Sequence, residues 1–181
     1  MPDERRLFGV TGWKNAGKTT LVAALVRELA SRGYIVSTIK HAHHSFDIDH
    51  EGTDSWRHRK AGAQETLLVS RLRWALMHEL DEDEPPLEVL IEKLAPCDLV
   101  LIEGYKRESH EKIEVIRADS TTDQPRWPDD GTIVALAVAE RPQGCTLPNF
   151  DPDDVPAIAD FIRDRLSLPA AGGRRSLKQR G

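Results

Sequence analysis

Aromatic residues make up only 6% of this chain, cysteine occurs twice in 181 residues, and charged residues reach 30%. That balance is typical of a soluble α/β protein. No apolar run approaches the ~20 residues that span a bilayer, which argues against a membrane protein. Met1-Pro2-Asp3-Glu4-Arg5-Arg6 leads straight into the first expected strand without a signal-peptide h-region, so the expected location is the cytoplasm. Cys97 and Cys145 are far apart and in no metal-ligand spacing. They are expected to be structural thiols in a reduced compartment. Basic excess is lacking too. The net charge is −5, and Arg174, Arg175, Lys178 and Arg180 contribute +4, leaving −9 on the rest. Such a body excludes duplex nucleic acid as a partner, since that ligand wants a basic face. Internal repeats are absent. The length fits one domain over 1–168, with 169–181 as a basic, disordered tail.

What is present is sharper. Gly12-Trp13-Lys14-Asn15-Ala16-Gly17-Lys18-Thr19 fits G-x-x-x-x-G-K-[ST]. Leu7 to Thr11 before it reads as a buried strand. Leu21, Val22, Leu25, Val26 and Leu29 after it recur at helical spacing. Strand, glycine-bearing loop and helix form the context in which backbone N–H groups wrap phosphates and a helix N-terminus adds partial positive charge. Lys18 is expected on the terminal phosphates and the Thr19 hydroxyl on Mg²⁺.

Downstream, Gly33 reads as a helix stop, Tyr34–Ile39 as a second strand, and Lys40–Gly52 as a polar loop. Thr53-Asp54-Ser55 caps a helix running to about Ala61. Glu65–Ser70 reads as a strand with Arg73–Leu80 pairing back as a hairpin, although Arg, Ala, Leu and Met make helix the competing reading of the second segment. An acidic run from Asp81 to Glu84 and Pro85-Pro86 form a turn. Leu87, Leu90, Ile91 and Leu94 make a helical stripe. Asp98–Gly104 holds four apolar residues between charged ends, the pattern of a central parallel strand. Lys112–Arg117 alternates weakly, 118–131 is loop, Thr132–Val138 is a core strand, and Asp154 caps a last helix. Strands alternating with helices predict an α/β protein of the three-layer P-loop NTPase type, a mostly parallel doubly wound sheet with a β-hairpin extension.

Ligands of such sheets bind at the carboxyl ends of the strands, where the P-loop, the Lys40–Asp49 loop and Glu103 fall. Glu103 ends an apolar strand, the usual place for the acidic group that holds Mg²⁺ directly or through water. The candidate nucleotide-binding residues are therefore Gly12, Lys14, Asn15, Ala16, Gly17, Lys18, Thr19 and Thr20, joined by Lys40 and His41. Thr19, Glu103 and Asp49 are the candidate metal ligands. Lys18, Glu103 and Asp47 are the candidate catalytic groups, with Asp47 and Asp49 serving Mg²⁺ or orienting water. His41, His43 and His44 lie close together beside these carboxylates, but zinc spacing is not met. The segment after the last core strand, Ala139-Glu140-Arg141-Pro142, carries no Asn-Lys-x-Asp guanine-reading motif.

Taken together, these residues resemble the molybdopterin-guanine dinucleotide biosynthesis protein B family (MobB). The resemblance rests on G-W-K-N-A-G-K-T-T-L at 12–21, I-K-H-A-H-H at 39–44, D-x-D-x-x-G-T-D-S at 47–55, R-K-A-G-A at 59–63, R-W-A-L-M at 73–77 and L-V-L-I-E-G-Y-K at 99–106. It implies a GTP-binding accessory protein and weak Mg²⁺-dependent GTPase, cytoplasmic and homodimeric. Such a protein works beside the guanylyltransferase that makes molybdopterin guanine dinucleotide in molybdenum cofactor biosynthesis. It also implies that the hairpin extends the sheet and helps make the dimer. Two alternatives stand beside it: a P-loop small-molecule kinase with its acceptor in the Lys40–Asp49 loop, and a metallochaperone GTPase that carries metal on the histidines. The first is weakened by the lack of an Arg-rich lid.

Overall fold

The computed structural model describes residues 5–42, 47–81, 83–117 and 124–170. His43 and His44, Glu82, part of the expected 118–131 loop, and the basic tail from 171 lie outside them. The chain divides into two compact units, one formed by residues 1–41 and 95–181 and the other by residues 42–94.

The first unit is built on a six-stranded sheet. Its strands are β1 (Leu7–Gly12), β2 (Val36–Lys40), β5 (Leu99–Glu103), β6 (Lys112–Val115), β7 (Ile133–Ala137) and β8 (Asn149–Phe150), with β3 and β4 in the other unit. The order across the sheet is β2-β5-β1-β6-β7-β8, and every neighbouring pair runs parallel. All five residues of β5 are buried, as its unbroken apolar run requires. Alternation then assigns the faces. Phe8 and Val10, Leu99 and Leu101, Ile113 and Val115, and Ala135 and Ala137 share one core with helices α1 (Lys18–Ser31) and α4 (Val155–Arg165). α1 contributes Leu21, Val22, Leu25 and Leu29 to it. α4 begins where expected, with the Asp154 carboxylate accepting from Ala157 N–H. Ile133, Leu136, Val138 and Cys145 form a second apolar cluster, against which Trp127 packs.

β6 forms as a strand within the alternating Lys112–Arg117 segment. It alternates strictly, but with buried charge: Lys112 and Glu114 are both fully enclosed. Each is satisfied by polar groups. The Lys112 ammonium donates to the carbonyls of Glu108 and His110 and to Thr132 Oγ1. The Glu114 carboxylate accepts from the N–H groups of Arg126 and Trp127 at 2.9–3.1 Å. Burying either charge without such partners would cost several kcal/mol. The two-residue β8 was not foreseen, because a strand that short shows no alternation.

The second unit holds α2 (Asp54–Lys60), the hairpin β3 (Glu65–Val69) and β4 (Trp74–His78), and α3 (Leu87–Glu92). The Thr53 hydroxyl accepts from Trp56 N–H at the start of α2. β4 is a strand despite its helix-favouring composition, since it pairs antiparallel with β3 over all five of its residues. The hairpin forms a two-stranded sheet of its own rather than adding strands to the main sheet. Thr66 and Met77, opposite each other, are buried. On the other side the pairs Leu67–Leu76 and Val69–Trp74 are exposed, Val69 by 72% and Trp74 by 67%. No helix among the described residues is long and apolar enough to cross a membrane.

Candidate nucleotide-binding site

The loop between β1 and α1 is shaped by where a side chain cannot fit. Gly12 has φ +138°, and a Cβ there would lie 2.4 Å from the Val115 carbonyl oxygen on the paired strand. Only glycine accepts both the angle and the approach. Asn15 follows with φ 63°, and the Ala16 N–H closes a turn onto the Trp13 carbonyl at 3.2 Å. Gly17 caps α1 at φ 99° and supplies no side-chain cap. A glycine in place of a side-chain cap costs only about a few tenths of a kcal/mol. Full burial of Leu25 and Leu29 offsets it at roughly 1.5–3 kcal/mol each. The helix therefore forms with no side chain at its N-terminus competing for its first N–H groups.

Sheet register brings the other groups to this point. Parallel pairing sets Lys40 of β2 and Val10 of β1 on either side of Glu103. Glu103 continues the alternation Leu99, Leu101 on the α1 face, so its carboxylate meets the first turn of that helix. The Thr19 hydroxyl donates to Glu103 Oε1 at 2.7 Å. Lys40 Nζ stands 3.2 Å from the same oxygen and 3.3 Å from Thr19 Oγ1. Lys18 Nζ reaches back across the loop to donate to the Trp13 carbonyl at 2.5 Å. Burial, and next the nearby Lys106, push the Lys18 ammonium below the ordinary lysine range; Glu103 opposes this and Lys40 adds to it. His41 is held beside the carboxylate strand by its N–H, which donates to the Glu103 carbonyl at 2.9 Å.

Of the expected site residues, Gly12, Lys14–Thr20, Lys40, His41 and Glu103 all sit at the carboxyl ends of β1, β2 and β5 or on the loop and helix between them. Lys14 and Thr20 are exposed. Asp47 and Asp49 belong to the second unit, where both are held by Arg59. Asp49 takes a bidentate pair from Arg59, at 2.6 and 3.2 Å, and Asp47 a single bond at 3.0 Å. Glu79 adds a third carboxylate at 3.0 Å. The hydrogen bond from Arg59 holds the Asp49 carboxyl below its usual range in spite of burial, with Ser55 helping. Asp49 and Glu79 in turn hold Arg59 firmly charged. Among the described residues no group of three His, Cys, Asp or Glu side chains is arranged to hold a metal ion.

Three participants escaped the sequence reading. The Trp13 indole N–H donates to the Gln124 carbonyl at 2.8 Å. Arg117 Nη1 donates to the Asn15 carbonyl at 3.1 Å. Lys106 Nζ stands over the Trp13 ring, 5.4 Å from its centroid. The signal for Lys106 lay in the quoted stretch Glu103-Gly104-Tyr105-Lys106. For Arg117 no local pattern existed.

The chain is similar to known proteins over most of its length. A family profile described as Molybdopterin guanine dinucleotide synthesis protein B matches residues 7–139. The molybdopterin-guanine dinucleotide biosynthesis adapter protein of Haemophilus influenzae is 38% identical over 172 residues, 92% of each chain. The Escherichia coli K12 adapter protein is 37% identical over 159 residues, 86% of this chain and 90% of the relative. A crystal structure of molybdopterin-guanine biosynthesis protein B superposes with a TM-score of 0.70 at 27% identity, covering 88% of this chain and 99% of the other. The MobB homologue of Bacillus stearothermophilus superposes with a TM-score of 0.67 at 26% identity, over 88% and 99% of the two chains. With a parallel six-stranded sheet and this loop at its centre, the chain has a P-loop NTPase fold and belongs to the MobB family.

Proposed function

We propose that this chain is a GTP-binding adapter in molybdenum cofactor biosynthesis, a slow Mg²⁺-dependent GTPase. In this role it presents nucleotide to the guanylyltransferase that forms molybdopterin guanine dinucleotide. The observation that carries the nucleotide part is the meeting of Lys18, Thr19, Lys40 and Glu103 at the mouth of a loop whose Gly12 admits no Cβ. The adapter part is supported by the names of the relatives, and guanine rather than adenine by those names alone. The free thiols Cys97 and Cys145 agree with a cytoplasmic setting. The exposed apolar side of the β3–β4 hairpin supports a homodimer that covers it.

Thr19 and Glu103 fit magnesium. Both offer hard oxygen donors, and the Lys40 ammonium lies against both as a cation already drawn to that spot. Bound there, Mg²⁺ would neutralise charge on the terminal phosphates. The chain's own groups do the rest. The backbone of residues 12–17 fixes the phosphate chain. Lys18 exchanges the Trp13 carbonyl for phosphate oxygen. Lys40 balances Glu103 in the absence of a ligand. Asp47 and Asp49 are engaged by Arg59, so we assign the metal to Thr19 and Glu103.

The test is an equilibrium titration of the full chain with GTP and ATP, with and without Mg²⁺, alongside Glu103→Gln. The expected result is GTP binding by the parent that Mg²⁺ strengthens, and GTP binding by the variant that Mg²⁺ no longer affects, with slower hydrolysis. Equal Mg²⁺ dependence and turnover in the two would remove Glu103 from the site.

A further inference from the structure

The residues just past Glu103 form a turn that costs the backbone something. Gly104 has φ +95° and Tyr105 φ +45°, and an aromatic L-residue seldom adopts the left-handed region without surrounding structure that imposes it. Two neighbours impose it here. A Cβ at Gly104 would lie 3.0 Å from the His41 Cβ, so the chain passes tightly against the end of β2. The Tyr105 ring then packs on the His41 ring at 4.8 Å between centroids. Backbone outliers of this kind cluster where a side chain has to be aimed.

The side chain aimed is Lys106. Its ammonium lies 5.4 Å from the centroid of the Trp13 indole, within cation–π range. Trp13 is clamped on its other sides: its carbonyl accepts from Lys18 at 2.5 Å and its indole N–H donates to Gln124 at 2.8 Å. One residue of the phosphate loop thus holds two ammonium groups at once. Lys106 is close enough to act electrostatically on Lys18, as do Lys40 and Glu103. Lys40 lies against Glu103 and Lys106 over Trp13, so with Lys18 three ammonium groups gather around this one loop in a chain whose net charge is −5. Packing alone gives no reason to gather like charges there; a polyanion does.

We propose that Lys106 is a ligand of the terminal phosphate, parked on the Trp13 indole until a nucleoside triphosphate fills the loop. The assignment rests on the nucleotide-binding reading above. Its place in the chain selects the phosphate. The P-loop backbone cradles the inner phosphates, whereas the strand-end carboxylate marks the metal and terminal-phosphate side, and Lys106 follows Glu103 by three residues. A diphosphate offers nothing at that position, so Lys106 makes the site discriminate triphosphate from diphosphate.

The experiment is calorimetric titration of the full-length parent, Lys106→Gln and Lys106→Arg with GTP and with GDP in Mg²⁺, each variant first checked for parental circular dichroism. Lys106→Gln is expected to weaken GTP about tenfold or more, as loss of a charge-assisted contact does, and GDP by less than about threefold. Lys106→Arg, which keeps the charge, is expected to restore most of the GTP affinity. A Lys106→Gln variant that binds GTP like the parent, or loses GTP and GDP equally, overturns the assignment of Lys106 alone. A parent that binds neither nucleotide overturns the P-loop reading and this assignment with it.

Discussion

His110 gives the fold a measurable acid weakness. Its ring is pressed onto β1, so that a Cβ on Gly9 would lie 2.7 Å from its Nε2, and that nitrogen is buried without a hydrogen-bond partner. Burial, and next the neighbouring Lys112 ammonium, push its pKa down from 6.5 to about 4. The ring is therefore neutral in the folded chain at pH 5, whereas the unfolded chain protonates it. A depressed pKa contributes stability that is complete above the unfolded value and is lost as pH falls from about 6.5 towards 4. The change from 6.5 to about 4 corresponds to roughly 3.4 kcal/mol, of which about 2 kcal/mol is lost by pH 5. Partial solvent access to the ring lowers that to about 1–2 kcal/mol, or a Tm drop of about 3–6 °C for a chain of this size. Glu114, whose pKa burial raises, acts in the opposite sense above its ordinary value, so a comparison of variants is needed to isolate the histidine. Thermal unfolding of parent and His110→Gln at pH 7 and pH 5 should show the variant losing less stability on acidification by that amount. Equal losses, or an NMR titration placing His110 near 6.5, would refute the neutral buried ring.

Two shorter predictions concern the site and the hairpin. Gly12→Ala meets both an unfavourable φ and a backbone carbonyl at 2.4 Å that has no room to yield; urea unfolding should show a loss of about 2–3 kcal/mol, and a loss under about 0.5 kcal/mol would mean that the turn relaxes freely. Trp74→Lys adds charge to the exposed side of the hairpin, where the native ring is 67% accessible; sedimentation should show a dimeric parent converted to a monomer that keeps the parental circular dichroism, whereas a monomeric parent would show that this side is not a self-association surface.

The parts of the site that were legible in the sequence are those whose cause is local. The P-loop could be read because Gly12 and Gly17 meet steric demands within a few residues of the groups they serve. Glu103 could be read because a carboxylate closing an unbroken apolar run has few places to go except the end of a central strand. Lys40 followed from its position at the end of β2, although only the register with β5 sets its ammonium on Glu103. What escaped depends on distant or inverted signals. Arg59 collects carboxylates from positions 47, 49 and 79, and no window contains all three. Lys112 and Glu114 alternate as residues of a solvated face would, yet both are buried, because carbonyls of the preceding loop and the distant Thr132 hydroxyl complete Lys112, and N–H groups of a later loop complete Glu114. Lys106 reaches Trp13 through a left-handed tyrosine, a conformation that the residue type argues against.

The most direct measurement is calorimetry of GTP with Mg²⁺ on the parent chain and on Lys18→Ala. The parent is expected to saturate at one nucleotide per chain. The variant is expected to bind roughly 10–100-fold more weakly, matching the about 1.5–3 kcal/mol of a hydrogen bond to a charged group. No binding by the parent, or undiminished binding by Lys18→Ala, would contradict a phosphate cradle at the first turn of the sheet.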